Sequence, residues 1–176
     1  LKMPERTIDT DVNPGIGLVD VEYQECDLHW HALHVCCFEG ADEPFWRYRD
    51  TFVLHERRLA APSATDLLLH VCVHGAVFNP FPPVRWIADV AMIVRHAGAR
   101  VDWDRLIAQA DESLLLVVMR EAINIVTEHV ELPIPASVLS RLRNARVSRA
   151  EEREYALRQV DKGYLRTITG RWCQLH

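Results

Sequence analysis

No apolar run in this chain reaches the length of a membrane span, and no charged-then-apolar leader opens it. Those two absences predict a cytoplasmic protein. Cysteine is sparse and unpatterned. Cys26, Cys36, Cys37, Cys72 and Cys173 make an odd set with no C-x-x-C spacing. That argues against a disulfide framework and predicts reduced, mostly buried thiols. Basic residues do not dominate either. Twenty Lys and Arg against 25 Asp and Glu give a formal net charge of -5, so a polyanion-binding surface is not the main design. Arg141, Arg143, Arg146 and Arg149 do cluster, and they read most simply as a solvated helix face and its end. Also missing are a G-x-x-x-x-G-K phosphate loop, a G-x-S-x-G elbow, a dinucleotide fingerprint, internal repeats and low-complexity segments.

What remains is ordinary globular material. In 176 residues, 49% are apolar and 26% charged, enough for a substantial core. The polar, Pro- and Gly-broken residues 1–17 read as a lead-in loop. Val19, Val21 and Tyr23 alternate with Asp20, Glu22 and Gln24, the period of a half-buried strand, and a second extended run goes from Cys26 to Val35. Phe45, Trp46 and Tyr48 sit in a short amphipathic turn or helix after Pro44. Thr51–Leu54 and Arg57–Leu59 are short strand candidates. From there the signals are helical. Ser63 with Asp66 marks a helix start, and Leu67–Val77 is so apolar that its helix should be central. The run Asn79 to Pro83 must break it. Val84–Ala97, a short helix capped by Asp102, Leu114–Val130 and Ala136–Arg146 follow. Ser148 to Glu151 has capping-box form, with Gly163 as a helix stop. The expected fold is α+β and mainly α: a small antiparallel sheet near the N-terminus, then a helical bundle. The expected division is a partial sheet region over 1–60 and a bundle over 61–176. The first residue is Leu1, and the chain reads as a piece of something longer.

The chemistry-bearing residues concentrate in Glu25-Cys26-Asp27-Leu28-His29-Trp30-His31. On a strand, Asp27, His29 and His31 would share one face, where a carboxylate beside imidazoles can bind a metal or move a proton. His34 is nearby. His70 and His74 are four apart on a helix and so on one side, but Val71 stands where a zinc-protease motif needs Glu. A buried, metal-free pair is expected there. Arg85 and Asp89 open a helix and can pair with one another or face a cleft. Spacing alone does not choose.

Several blocks then fall in a telling order: Val21 to Trp30 ending in Asp-Leu-His-Trp, the Phe45-Trp46 turn, and Ala61 to Gly75 with its Pro, Asp and two His. After these come Val84-Arg85-Trp86-Ile87-Ala88-Asp89-Val90, Asp102-Trp103, and Leu132-Pro133-Ile134-Pro135. Together they resemble the C-terminal half of the uncharacterised bacterial nucleotidyltransferase family, a branch of the polymerase-beta-like superfamily. The resemblance covers about residues 18 to 135. It implies three sheet carboxylates that bind magnesium ions and a nucleoside triphosphate, and transfer of a nucleoside monophosphate to an acceptor. By that resemblance Asp27 is the third carboxylate, a catalytic magnesium ligand that activates the acceptor hydroxyl. His29, Arg85 and Asp89 stand on the substrate side. No Gly-Ser followed by an Asp-x-Asp pair precedes Asp27. Asp9-Thr10-Asp11 has the spacing without the Gly-Ser. Residues 1–176 alone are therefore expected neither to hold magnesium-triphosphate tightly nor to transfer nucleotide. Two other classes stay open: a non-catalytic helical binding domain, and a metal-dependent hydrolase using Asp27, His29, His31 and His74.

Overall fold

The computed structural model describes residues 15–78 and 84–157. Two antiparallel hairpins and a helical assembly make up these residues. The fold class is α+β, mainly α, as expected. The first hairpin pairs β1 (Gly15–Val19) with β2 (Glu25–His29), in the register Gly15 to His29 and Val19 to Glu25. After α1 (Glu43–Arg47), β3 (Asp50–Leu54) pairs with β4 (Arg57–Ala61).

The first hairpin departs from the alternation expected through Tyr23. Asp20 Oδ1 accepts from the Glu22 and Gln24 amides, each at 2.8 Å, and Tyr23 adopts φ 61. A side chain that satisfies two backbone donors competes with the strand ladder and turns the chain. Val21 and Tyr23 therefore sit exposed in the turn rather than on a half-buried strand face. Gly15 and Gly17, read as part of a lead-in loop, lie in β1 instead. The second extended run also stops early, at His29, and a loop follows it. In the second hairpin His55 and Glu56 turn the chain with φ 45 and 64. Positive φ at both turn residues belongs to the I′ turn, whose twist suits a two-residue hairpin. The usual Asn-Gly signal is absent.

The helices are α2 (Ala64–Phe78), α3 (Val84–Ala97), α4 (Trp103–Glu112), α5 (Leu116–His129) and α6 (Ala136–Asn144), with a last helical stretch over residues 149–157. As its composition predicts, α2 is central and packs on α3, α4 and α5. Leu68, Leu69, Cys72 and Val73 are buried along it, and burial pushes the Cys72 thiol up to about 12. At the α2–α3 crossing the Trp86 indole lies directly on Gly75, where an added Cβ would come within 2.3 Å of the ring. The glycine is there for close approach. The buried Trp86 Nε1 has no hydrogen-bond partner among the described residues.

Caps follow the sequence in part. Asp102 Oδ1 accepts from the Arg105 amide at 2.9 Å and starts α4. Ser148 Oγ accepts from the Glu151 amide at 3.1 Å, half of the expected box. The Glu151 carboxylate does not return to its own helix. Its Oε1 accepts from the Val117 amide at 2.6 Å, which caps α5 and fastens the last helix to it. In the first turn of α2, Asp66 is fully buried and accepts from Arg105 Nη1 at 2.7 Å, while the guanidinium also bonds Ser63 and Gln109 and lies 4.3 Å over the Tyr48 ring. One core joins the helices to Leu33, Cys36 and Phe45, from the loop after β2 and from α1. Gly163, the break at 79–83, Asp9, Asp11 and Cys173 lie outside the described residues.

Candidate functional site

The site is built where the end of β2 meets α1, α2 and β4. Asp27 and His29 share one strand face, opposite Gly17 and Gly15 in the ladder. An added Cβ at Gly15 would come within 2.8 Å of the His29 ring, and one at Gly17 within 3.2 Å of Asp27 Oδ1. Both polar side chains thus lean across a partner strand that has no side chains in their way. Asp27 and His29 are exposed.

His31 does not join that face. The strand ends at His29, and His31 Nδ1 donates to Asp42 Oδ2 at 2.6 Å, while Asp42 Oδ1 accepts from the Ala32 amide at 2.7 Å. Asp42 is therefore the clasp of the loop 30–42, and sequence spacing gave no sign of it. The four-residue hydrolase constellation of Asp27, His29, His31 and His74 is not assembled. Among the described residues no three His, Cys, Asp or Glu side chains are arranged to hold a metal ion.

A different histidine group forms instead. The His29 ring lies 5.1 Å from that of His34, His34 lies 6.0 Å from His74, and His74 lies 5.8 Å from His70, centre to centre. His70 Nδ1 donates to the Ala32 carbonyl at 2.8 Å, which fixes its tautomer and ties α2 to the loop after β2. Burial first, then the imidazoles of His29, His74 and His70, hold His34 below the ordinary histidine range. Burial also lowers His70; its bond to Ala32 pulls partly the other way, and His74 and His29 lower it further. His70 and His74 keep a minor part of their surface exposed, in keeping with the buried pair expected from their place on an apolar helix. Their i, i+4 spacing announced a shared face. That β2 and the following loop would bring His29 and His34 to it was not visible.

On the other side of His29 a groove of about 200 Å³ opens, lined by His29, Trp30, Phe45, Trp46 and Arg49 with the chain around Ala60 to Pro62. Arg85 and Asp89 stand apart on α3, both exposed, and no ion pair joins them among the described residues. The expected Arg141–Arg149 cluster is likewise exposed. No helix among the described residues is long and apolar enough to cross a membrane.

No curated protein and no solved structure matches the chain. Residues 19–131, well over half of it, match the family described as uncharacterised nucleotidyltransferase. That span takes in β2, the second hairpin, the histidine group and the groove, and on it the chain belongs to the uncharacterised nucleotidyltransferase family.

Proposed function

We propose that the protein serves transfer of a nucleoside monophosphate from a nucleoside triphosphate to an acceptor hydroxyl, with Asp27 as the carboxylate at the reacting centre. The observation that supports this most is the setting of Asp27: an exposed carboxylate on β2, within the family-matched segment, leaning over Gly17 beside His29. In this reading Asp27 takes the proton of the acceptor hydroxyl as it attacks the α-phosphorus, and pyrophosphate leaves. His29, two residues along the same face, contacts the substrate. Arg85 and Asp89 belong to the acceptor side.

Magnesium is the metal that this chemistry implies. Asp27 is a hard oxygen donor of the right kind, and magnesium is commonly held by one or two carboxylates together with phosphate oxygens and water. Asp27 fits as one such ligand, though no set of three ligating side chains surrounds it among the described residues. When bound, the metal would neutralise developing phosphate charge.

The test is Asp27→Asn in the complete gene product. Transfer of labelled nucleotide should fall by at least about 10²-fold, with an unchanged circular dichroism spectrum and melting temperature, because the exposed carboxylate carries no fold contacts worth much. Undiminished transfer in that variant would remove Asp27 from the reaction.

A further inference from the structure

The groove beside His29 has a composition suited to one kind of ligand. Its lining includes the buried Phe45 and its neighbour Trp46, which is 64% exposed although Phe45 docks the same helix on the core. Trp30 lines it as well. Ala60, Ala61 and Pro62 line it with small side chains. Arg49 supplies a cation to the lining. It is exposed and donates from Nη1 to the Trp46 carbonyl, which fixes the guanidinium next to that residue's backbone. His29 lines it too, two residues from Asp27. The one acid in the lining, Asp42, is already occupied by His31 and the Ala32 amide.

An aromatic groove of about 200 Å³ is too small for a whole nucleoside triphosphate and has room for one planar ring system. Indoles bind such rings by stacking, whichever ring it is. A guanidinium in the lining favours a ring that carries an anionic group.

We propose that this groove is a substrate subsite that takes a planar unsaturated ring bearing an anionic substituent, stacked on Trp46, with the anion at Arg49. Resting on the nucleotidyl-transfer reading, that ring is either the base of the nucleotide or the ring of the acceptor. The groove deepens that reading because it opens within two residues of Asp27.

Isothermal titration of the purified protein without magnesium tests it. One arm uses the four ribonucleoside 5′-monophosphates, the other 4-hydroxybenzoate as a ring-bearing acid with no ribose. Binding in the first arm alone identifies the base site, and binding in the second alone an acceptor site. In either case Trp46→Ala should weaken binding by at least about fivefold, while Trp46→Phe stays within about threefold. Arg49→Gln should weaken it for the anionic probe and leave the uncharged nucleoside or phenol unaffected. Trp46 is exposed, so the alanine variant should fold. Ala60→Phe, which fills the groove from β4, gives a second route to the same loss. No binding of either probe class at millimolar concentration would overturn the proposal, as would binding indifferent to both Trp46→Ala and Ala60→Phe. If ring binding depends on Trp46 but the complete gene product transfers no nucleotide, the groove stands and the transferase reading falls. Transfer with normal kinetics in Trp46→Ala gives the converse.

Discussion

At the scale of single residues, two positions show how little space this fold leaves. Gly75 lies under the Trp86 ring, and any Cβ there meets ring atoms rather than the flexible tip of a side chain. The indole is walled in, so the α2–α3 crossing must open to admit it. Gly75→Ala should cost about 1–3 kcal/mol by urea denaturation, although alanine is the better helix former. A stability gain would mean that the crossing is looser than it looks. The second position is Asp66. Its carboxylate has no access to water and depends on Arg105 for charge and on Ser63 for a hydroxyl. Arg105→Met leaves an uncompensated buried charge and should lose about 3–5 kcal/mol, whereas a joint Asp66→Asn, Arg105→Met variant should recover part of that. Equal losses in the single and double variants would show that Asp66 does not depend on the cation.

At the scale of elements, the joins between helices and loops titrate. His34 and His70 lie below the ordinary histidine range near 6.5. The unfolded chain takes up protons there that the folded chain refuses. Stability is thus complete above about pH 6.5 and is lost as pH falls below it. The melting temperature should drop through that window, and His70→Gln, which keeps a donor for Ala32, should flatten the drop. Glu151 has the opposite sign. Burial raises it above the ordinary carboxylate range, while the Val117 and Leu116 amides and Arg120 pull it down and Asp111 pushes it up. Between about pH 4.5 and its folded value, the ionised form is the costly one, so its contribution weakens as pH rises. Glu151→Gln keeps an acceptor for the Val117 amide without the buried charge. It should melt above Glu151→Ala, and its difference from the parent should shrink as pH falls toward about 4.5. A difference that grows toward acid would mean that Glu151 is stabilised as the anion.

At the scale of the whole molecule, the sheets contribute little to holding themselves together. Every residue of β2 and β3 is exposed, and two-stranded hairpins are marginal alone. What holds them is the chain between them. Leu33, Cys36 and Phe45 enter the helical core, and the His31–Asp42 and His70–Ala32 bonds pin the loop. The candidate site is therefore mounted on the helices rather than on a sheet. The sequence by itself determined the helices, their order and most of their ends, because apolar periodicity and caps such as Asp102 act within a few residues. It also determined the family, through blocks whose order survives without any contact map, and it singled out Asp27, His29 and the Phe45-Trp46 turn. It did not determine where β1 turns, because Asp20 binds two amides that the alternating pattern had assigned to a ladder. Only the tertiary structure decided that His31 belongs to Asp42, that His34 meets His74, and that Glu151 caps a helix 34 residues away. Those pairings lie beyond the reach of helix or strand periodicity, and the residue types alone allow many partners. Packing of α2 against the loop after β2 selects one of them.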